Sequence, residues 1–65
     1  MRAGEIYRNK FEPSIRVEIL WVKGDLCEWM PADEYSMLEL MAYQAEWGEC
    51  TIKELLELYE NEEWL

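Results

Sequence analysis

The clearest pattern in the chain is the alternation of apolar and polar positions from Ile15 to Val22. A period of two predicts a β-strand with one buried face, and the apolar end of this segment predicts that both faces are covered there. Lys23-Gly24-Asp25 predicts a tight turn, and Leu26–Met30 predicts the return strand of a hairpin. The loop is either Lys23–Gly24 or Gly24–Asp25. This choice decides which side chains of the two strands face each other.

The segments on either side of this hairpin carry weaker signals. Gly4–Lys10 predicts a short strand with basic side chains along it. Pro31-Ala32-Asp33-Glu34 predicts the start of a helix, because proline is tolerated in the first turn and acids there complement the helix dipole. Residues 34–47 favour a helix by composition, and Gly48 would be its C-terminal cap. A strand over part of 34–47 remains an alternative, since some of its apolar residues also alternate.

Within that segment, four apolar residues follow helical spacing, which favours the helix. They are Leu38, Met41, Ala42 and Ala45.

The last segment has the firmest helical signature. Thr51-Ile52-Lys53-Glu54 matches a capping box, in which the threonine hydroxyl accepts from the Glu54 amide and the Glu54 carboxylate accepts from the threonine amide. An apolar stripe at i, i+3, i+4 and i+7 follows, formed by Ile52, Leu55, Leu56 and Tyr59. The sequence therefore predicts a helix from about residue 52 to the low sixties.

Length and composition restrict the architecture to one small domain, residues 1–65. Because 51% of the residues are hydrophobic, the chain has enough apolar surface to fold. Trp21 and Trp29 are expected to fill the core of the hairpin. The predicted fold is α+β, with an N-terminal β-hairpin or small antiparallel sheet packed against one or two C-terminal helices.

Charge is distributed unevenly along the chain, whose net charge is −9. Residues 1–24 contain five bases and three acids, whereas residues 25–65 contain one base and twelve acids. Nucleic-acid binders derive affinity from Lys and Arg that neutralise phosphates, so direct binding of nucleic acid is not expected. The polarised charge predicts a basic partner instead.

Catalysis and cofactor binding have little support in the residue types present. The chain has no histidine, the side chain most often used as a general base, and its two cysteines, Cys27 and Cys50, lie in acidic stretches that disfavour the thiolate. Both cysteines are expected to be reduced, buried and inert. A zinc site would need about four Cys or His ligands, so no metal, no cofactor and no enzymatic activity are predicted.

Targeting signals are not evident in the sequence. The first ten residues lack the apolar core of a secretory signal, and the uncharged runs are far shorter than the roughly 20 residues of a membrane span. The expected location is the cytoplasm, and no membrane is expected among the partners.

Acidic residues of the C-terminal segment form a candidate interaction surface. On a continuous helix, Glu54, Glu57 and Glu60 would rise in steps of about 4.5–6 Å, which is comparable to phosphate spacing in nucleic acid. The alternative is that they form the solvated face of an amphipathic helix. Trp47 and Trp64, at predicted helix ends, are included in this candidate surface because tryptophan is enriched in binding hot spots. The candidate partner-binding residues are Glu46, Trp47, Glu49, Glu54, Glu57, Glu60, Glu62, Glu63 and Trp64.

Three segments also carry a family resemblance. Gly4–Lys10 and Arg16–Val22 resemble the opening of small SH3-like barrel domains of phage and bacterial accessory proteins, and Ile52–Glu60 is similar to the helical close of some of them. Those domains usually add two further strands where residues 34–47 predict a helix. The resemblance implies a phage-type accessory protein, a setting in which very small acidic proteins often block a host protein.

The predicted function is a small acidic binding protein of phage type that docks on a basic, nucleic-acid-binding host protein in the host cytoplasm and inhibits it by nucleic-acid mimicry. The alternative is an SH3-like structural or assembly module that self-associates or binds a peptide. Trp47, Trp64 and the Met-rich stretch 37–41 would also allow a homodimer, which the net charge opposes.

Overall fold

The fold is mixed α+β, with five strands and two short helices in the part of the chain that the structure describes. The computed structural model describes residues 1–43 and 47–64. In chain order the elements are β1 (Ile6–Asn9), β2 (Arg16–Lys23), β3 (Leu26–Pro31), α1 (Glu34–Ala42), β4 (Glu49–Thr51), α2 (Ile52–Leu58), β5 (Tyr59–Asn61) and a 3₁₀ turn (Glu62–Trp64).

The strands form one antiparallel sheet in the order β4-β3-β2-β1-β5. Its two edge strands, β4 and β5, are joined by the seven residues of α2. That helix advances the chain by about 10 Å, whereas the edges of a flat five-stranded sheet would lie about 19 Å apart. The sheet therefore curls so that its two edges approach each other.

The hairpin between β2 and β3 has Gly24 and Asp25 as its loop. Lys23 pairs with Leu26, and Gly24 has a φ of 60°, a left-handed conformation that glycine adopts readily. The second of the two loop placements allowed by the sequence is therefore the observed one. A bulge at Leu20 then shifts the register, so that Ile19 and Val22 both face the interior.

The core fills the inside of the curled sheet. Trp29 of β3 and Tyr59 of β5 lie in strands separated by β2 and β1, yet their ring centroids are 6.0 Å apart. This contact crosses the interior of the curl. The buried apolar residues are Tyr7, Ile15, Val17, Ile19, Cys27, Trp29, Leu40, Leu55 and Tyr59.

The first helix agrees with its predicted start but is shorter than predicted. Asp33 is the N-cap, and its Oδ1 accepts the Ser36 amide at 2.7 Å. The helix ends at Ala42, so Gly48 is not its cap and the strand alternative is wrong for residues 34–42. Residues 44–46, which the prediction also included, lie outside the described part of the chain.

The second helix begins as predicted and ends early. The Glu54 amide donates to Thr51 Oγ1 at 3.1 Å, and the Glu54 carboxylate accepts from the same hydroxyl at 2.8 Å. The helix stops at Leu58 because the next three residues pair with β1 as strand β5. Strands β4 and β5 thus follow α1 in the chain. The predicted α+β class is confirmed, whereas the predicted order, with the sheet first and the helices after it, is not.

Replacing Leu55 with Ala should lower the free energy of unfolding by about 2–5 kcal/mol, because the side chain is buried in the core and its removal leaves a cavity. Leu58→Ala on the same helix is the matched control, since Leu58 is 50% exposed, and it should change stability by no more than about 0.5 kcal/mol. Urea unfolding followed by circular dichroism measures both. Equal midpoints for the two variants would contradict the packing of α2 described above.

Candidate partner-binding surface

The nine predicted partner-binding residues do not form one continuous array. Trp47 precedes β4, Glu49 begins that strand, Glu54 and Glu57 lie on α2, and Glu60 lies in β5. The 3₁₀ turn carries Glu62, Glu63 and Trp64. Glu46 lies outside the described residues.

The predicted ladder of three carboxylates on one helix face is not built. Glu60 is in a strand rather than on α2, and its carboxylate lies 3.6 Å from Nε of Arg8. The carboxylate of Glu54 is held by the Thr51 hydroxyl at the helix start. Of the three, only Glu57 is an exposed acid outside the ion pairs and caps of the described residues.

Glu62 is held in a cluster centred on Arg16. The guanidinium donates to both carboxylate oxygens of Glu62, each at 3.0 Å, and to Oδ2 of Asp33 at 3.3 Å. The hydrogen bonding that Arg16 donates to Glu62 raises the pKa of Arg16. The hydrogen bonds that Asp33 accepts, first from Ser36 and then from Arg16, lower the pKa of Asp33. The cluster ties β2, the start of α1 and the C-terminal turn together, so the charge of Glu62 is already neutralised within the molecule.

A polar cleft of about 410 Å³ separates the N-terminal turn from β5 and the 3₁₀ turn. Its floor contains the buried Asn61, whose Nδ2 donates to Glu5 at 3.1 Å and whose Oδ1 accepts the Glu63 amide at 2.8 Å. Sequence patterns gave no signal for Glu5 and Asn61, because the two meet only through the pairing of β1 with β5.

The tryptophans divide between the core and the surface. Trp29 is buried as predicted, whereas Trp21 lies on the outer face of the sheet and donates from Nε1 to Glu28 at 2.9 Å. Trp47 is 39% exposed, and Trp64 is 63% exposed although its ring packs edge-on against Tyr7 at 5.8 Å. Both remain accessible to a partner.

Apolar residues that follow helical spacing on α1 face outward. Leu38 and Met41 on α1 are exposed, and the buried positions of this helix are Ser36 and Leu40. The helix is turned this way because Ser36 Oγ accepts the backbone N–H of Arg16 at 2.7 Å, which holds that side against β2. Successive helical residues differ by 100°, so Leu38 then points away from the sheet.

Cys27 and Cys50 are directly opposite each other on β3 and β4, with their Sγ atoms 3.9 Å apart. Burial, followed by the neighbouring Cys50, raises the pKa of Cys27 to about 11. A thiol with that pKa is protonated at neutral pH and is a poor nucleophile.

Other chemistry has little geometric support. Within residues 1–43 and 47–64, the structure brings together no group of three or more Cys, Asp or Glu side chains suited to a metal ion. None of the helices in the same ranges combines the length and the apolar character that a membrane span needs.

The chain matches no model of a known protein family, no curated protein and no solved structure. Function therefore has to be argued from the surface of the molecule itself. Two features of the described surface bear on function: the exposed acids that lie outside the ion pairs, and the exposed apolar side chains.

In a Cys50→Ser variant, Cys27 should resist alkylation by iodoacetamide at pH 7.5 in the folded protein and react fully in urea. The physical reason is burial, which remains in this variant: it raises the pKa of the Cys27 thiol and shields the sulfur from the reagent. Mass spectrometry after timed quenching gives the labelled fraction, and free cysteine in the same tube is the control. Rapid labelling of the folded protein at neutral pH would contradict the burial of this thiol.

Proposed function

We propose that the protein is a small, non-enzymatic acidic binding protein that docks on a basic, nucleic-acid-binding protein and blocks it. The resemblance to phage-type accessory domains extends this proposal to a host protein in the host cytoplasm. The observation that carries the proposal is the excess of exposed acids. Three of the six basic side chains make contacts inside the molecule, and several acids are exposed and lie outside the ion pairs of the described residues.

Three of the six bases make internal contacts. Arg8 pairs with Glu60, Arg16 pairs with Asp33 and Glu62, and Lys10 Nζ donates to the Leu56 carbonyl at 2.6 Å. Glu49, Glu57 and Glu63 are exposed and stand outside the ion pairs of the described residues. The field around the protein is therefore negative, and such a field accelerates encounters with a basic surface.

The outer face of the sheet adds a repulsive pair. Glu28 of β3 and Glu49 of β4 are directly opposite in the register, so both side chains leave the same face. Like charges in this position are destabilising by roughly 0.2–1 kcal/mol. A basic side chain from a partner would relieve that repulsion, which supports binding of a cationic surface here.

The size of the protein is sufficient for blocking. A standard interface takes about 800 Å² from each partner. The accessible surface is 4503 Å², so one interface would use close to a fifth of it. Mimicry in this form relies on carboxylates from β4, α2 and the 3₁₀ turn that occupy a basic groove, and not on a ladder along one helix.

A second candidate is the SH3-like assembly module that self-associates or binds a peptide. It is favoured by exposed apolar side chains such as Phe11, Leu38 and Tyr43. Apolar association resists salt, whereas acidic–basic docking weakens steeply as salt rises.

The triple variant E49K/E57K/E63K should lose the partner while its circular dichroism stays unchanged, since all three side chains are exposed. Pull-down from host lysate at about 0.05 M and about 0.5 M salt identifies the partner and its salt dependence. The captured protein should be basic, should be released at high salt, and should exclude nucleic acid when this protein is bound.

Glu60→Gln is the control for that experiment, because its charge is already balanced by Arg8, and binding should be largely retained. A ternary complex of partner, nucleic acid and this protein, with unchanged affinity for the nucleic acid, would rule out blocking by mimicry. A captured assembly that persists at high salt and in the triple variant would favour the assembly module.

Light scattering separates the two candidates without a partner. At high protein concentration the acidic binding protein should remain a monomer at about 0.5 M salt, where repulsion between copies is screened. A dimer that strengthens with salt would support self-association instead.

A further inference from the structure

The helix α1 is apolar on nearly all sides. Its nine residues, EYSMLELMA, include only Glu34, Ser36 and Glu39 as polar or charged positions. A helix that is hydrophobic all round is normally buried on all sides. Here the buried side is the one with Ser36 and Leu40, and the exposed apolar side chains of α1 find no full cover among residues 1–43 and 47–64.

The uncovered side forms one continuous strip, which we call the α1 outer face. Leu38 and Met41 lie at its centre and are 56% and 57% exposed. They are three residues apart, so their side chains are neighbours on the helix surface. The full face comprises Tyr35, Met37, Leu38, Met41 and Ala42.

The rim of this face is acidic. Glu34 is exposed four residues before Leu38 and therefore lies on the same side of the helix. At the flank, the Tyr35 hydroxyl donates to Glu12 at 3.2 Å. Glu39 follows Tyr35 by four residues and therefore lies on the same side of the helix. The pKa of Tyr35 is raised, first by desolvation and then by the negative charges of Glu39 and Glu12.

Basic residues do not offset this rim. Residues 34–42 contain no Lys or Arg. Arg16 reaches the start of the helix, but its guanidinium is occupied by Asp33 and Glu62. The apolar strip is thus bordered by negative charge.

We infer that the α1 outer face binds a basic amphipathic helix of the partner protein. Its apolar stripe covers Leu38 and Met41, and its Lys and Arg side chains meet the acidic rim. Methionine suits this role because its flexible, polarisable side chain adapts to different apolar surfaces. This inference rests on the proposed function and specifies the element of the basic partner that is recognised.

A second copy of the chain fits the same face less well. It would bring another net charge of −9 and a second acidic rim against the first. Like charges placed face to face oppose association, whereas a cationic helix gains from the same field.

Synthetic peptides of about 18 residues test the inference, a length that gives roughly five helical turns. One peptide places Leu at i, i+3, i+4 and i+7 with Lys elsewhere, and the control has the same composition in an order without a stripe. Affinities are measured by fluorescence anisotropy at low salt. The protein variants are L38Q/M41Q and, as the matched control on α2, L58Q.

The striped peptide should bind the wild type more tightly than the control peptide. L38Q/M41Q should weaken that binding roughly tenfold or more, because central apolar contacts carry most of an interface's affinity. L58Q should leave the affinity unchanged, since Leu58 is equally exposed but lies on another helix. Circular dichroism confirms that both variants fold.

Three results would overturn the inference. Equal affinities of the wild type for both peptides would show that only charge is recognised, which leaves the proposed function intact. Unchanged binding by L38Q/M41Q would place the contact elsewhere on the protein. The proposed function would then still be tested separately by the E49K/E57K/E63K experiment. A wild-type dimer that L38Q/M41Q abolishes would identify a second copy as the occupant.

Discussion

The pairing of β5 with β1 is the constraint on which the remaining structure depends. Tyr7 pairs with Asn61, and this one register position brings both ends of the chain into the same sheet. It stops α2 at Leu58, turns Tyr59 into the core against Trp29, and carries Glu62 to Arg16. The charge pattern at the surface follows from it, because Glu60 and Glu62 are neutralised only when β5 is in place.

This closure also explains why the acids of the C-terminal segment differ in their availability. Along the sequence, Glu57, Glu60 and Glu63 look equivalent, since each is three residues from the next. In the fold, Glu60 faces Arg8 across the strand pair, while Glu57 and Glu63 are exposed. The number of acids sets the net charge, and the fold decides which of those acids lie in an internal ion pair and which face the solvent.

Local sequence signals predicted the local structure well and the long-range structure poorly. Alternation gave the hairpin, and the Thr51–Glu54 capping box gave the start of α2, because both depend on neighbours in sequence. The end of α2 and strand β5 could not be predicted, since three residues change state only through a partner strand near the start of the chain. The side of α1 that faces outward could not be predicted for a similar reason. Periodicity cannot tell which side of a helix that is apolar all round faces the core, and here a buried serine decides it.

The same strand pairing has a consequence for the order in which the chain folds. The β2–β3 hairpin closes over a two-residue loop, whereas β1 and β5 must meet across nearly the whole length of the chain. The entropy lost on closing a loop grows with its length, and folding rates fall as contacts become less local. We expect the hairpin to form early and the β1–β5 pair to lock last. Until that final step, Glu60 and Glu62 lack their partners Arg8 and Arg16, so the chain that has yet to close carries the same net charge as the folded protein but with these positive and negative groups still separate and hydrated.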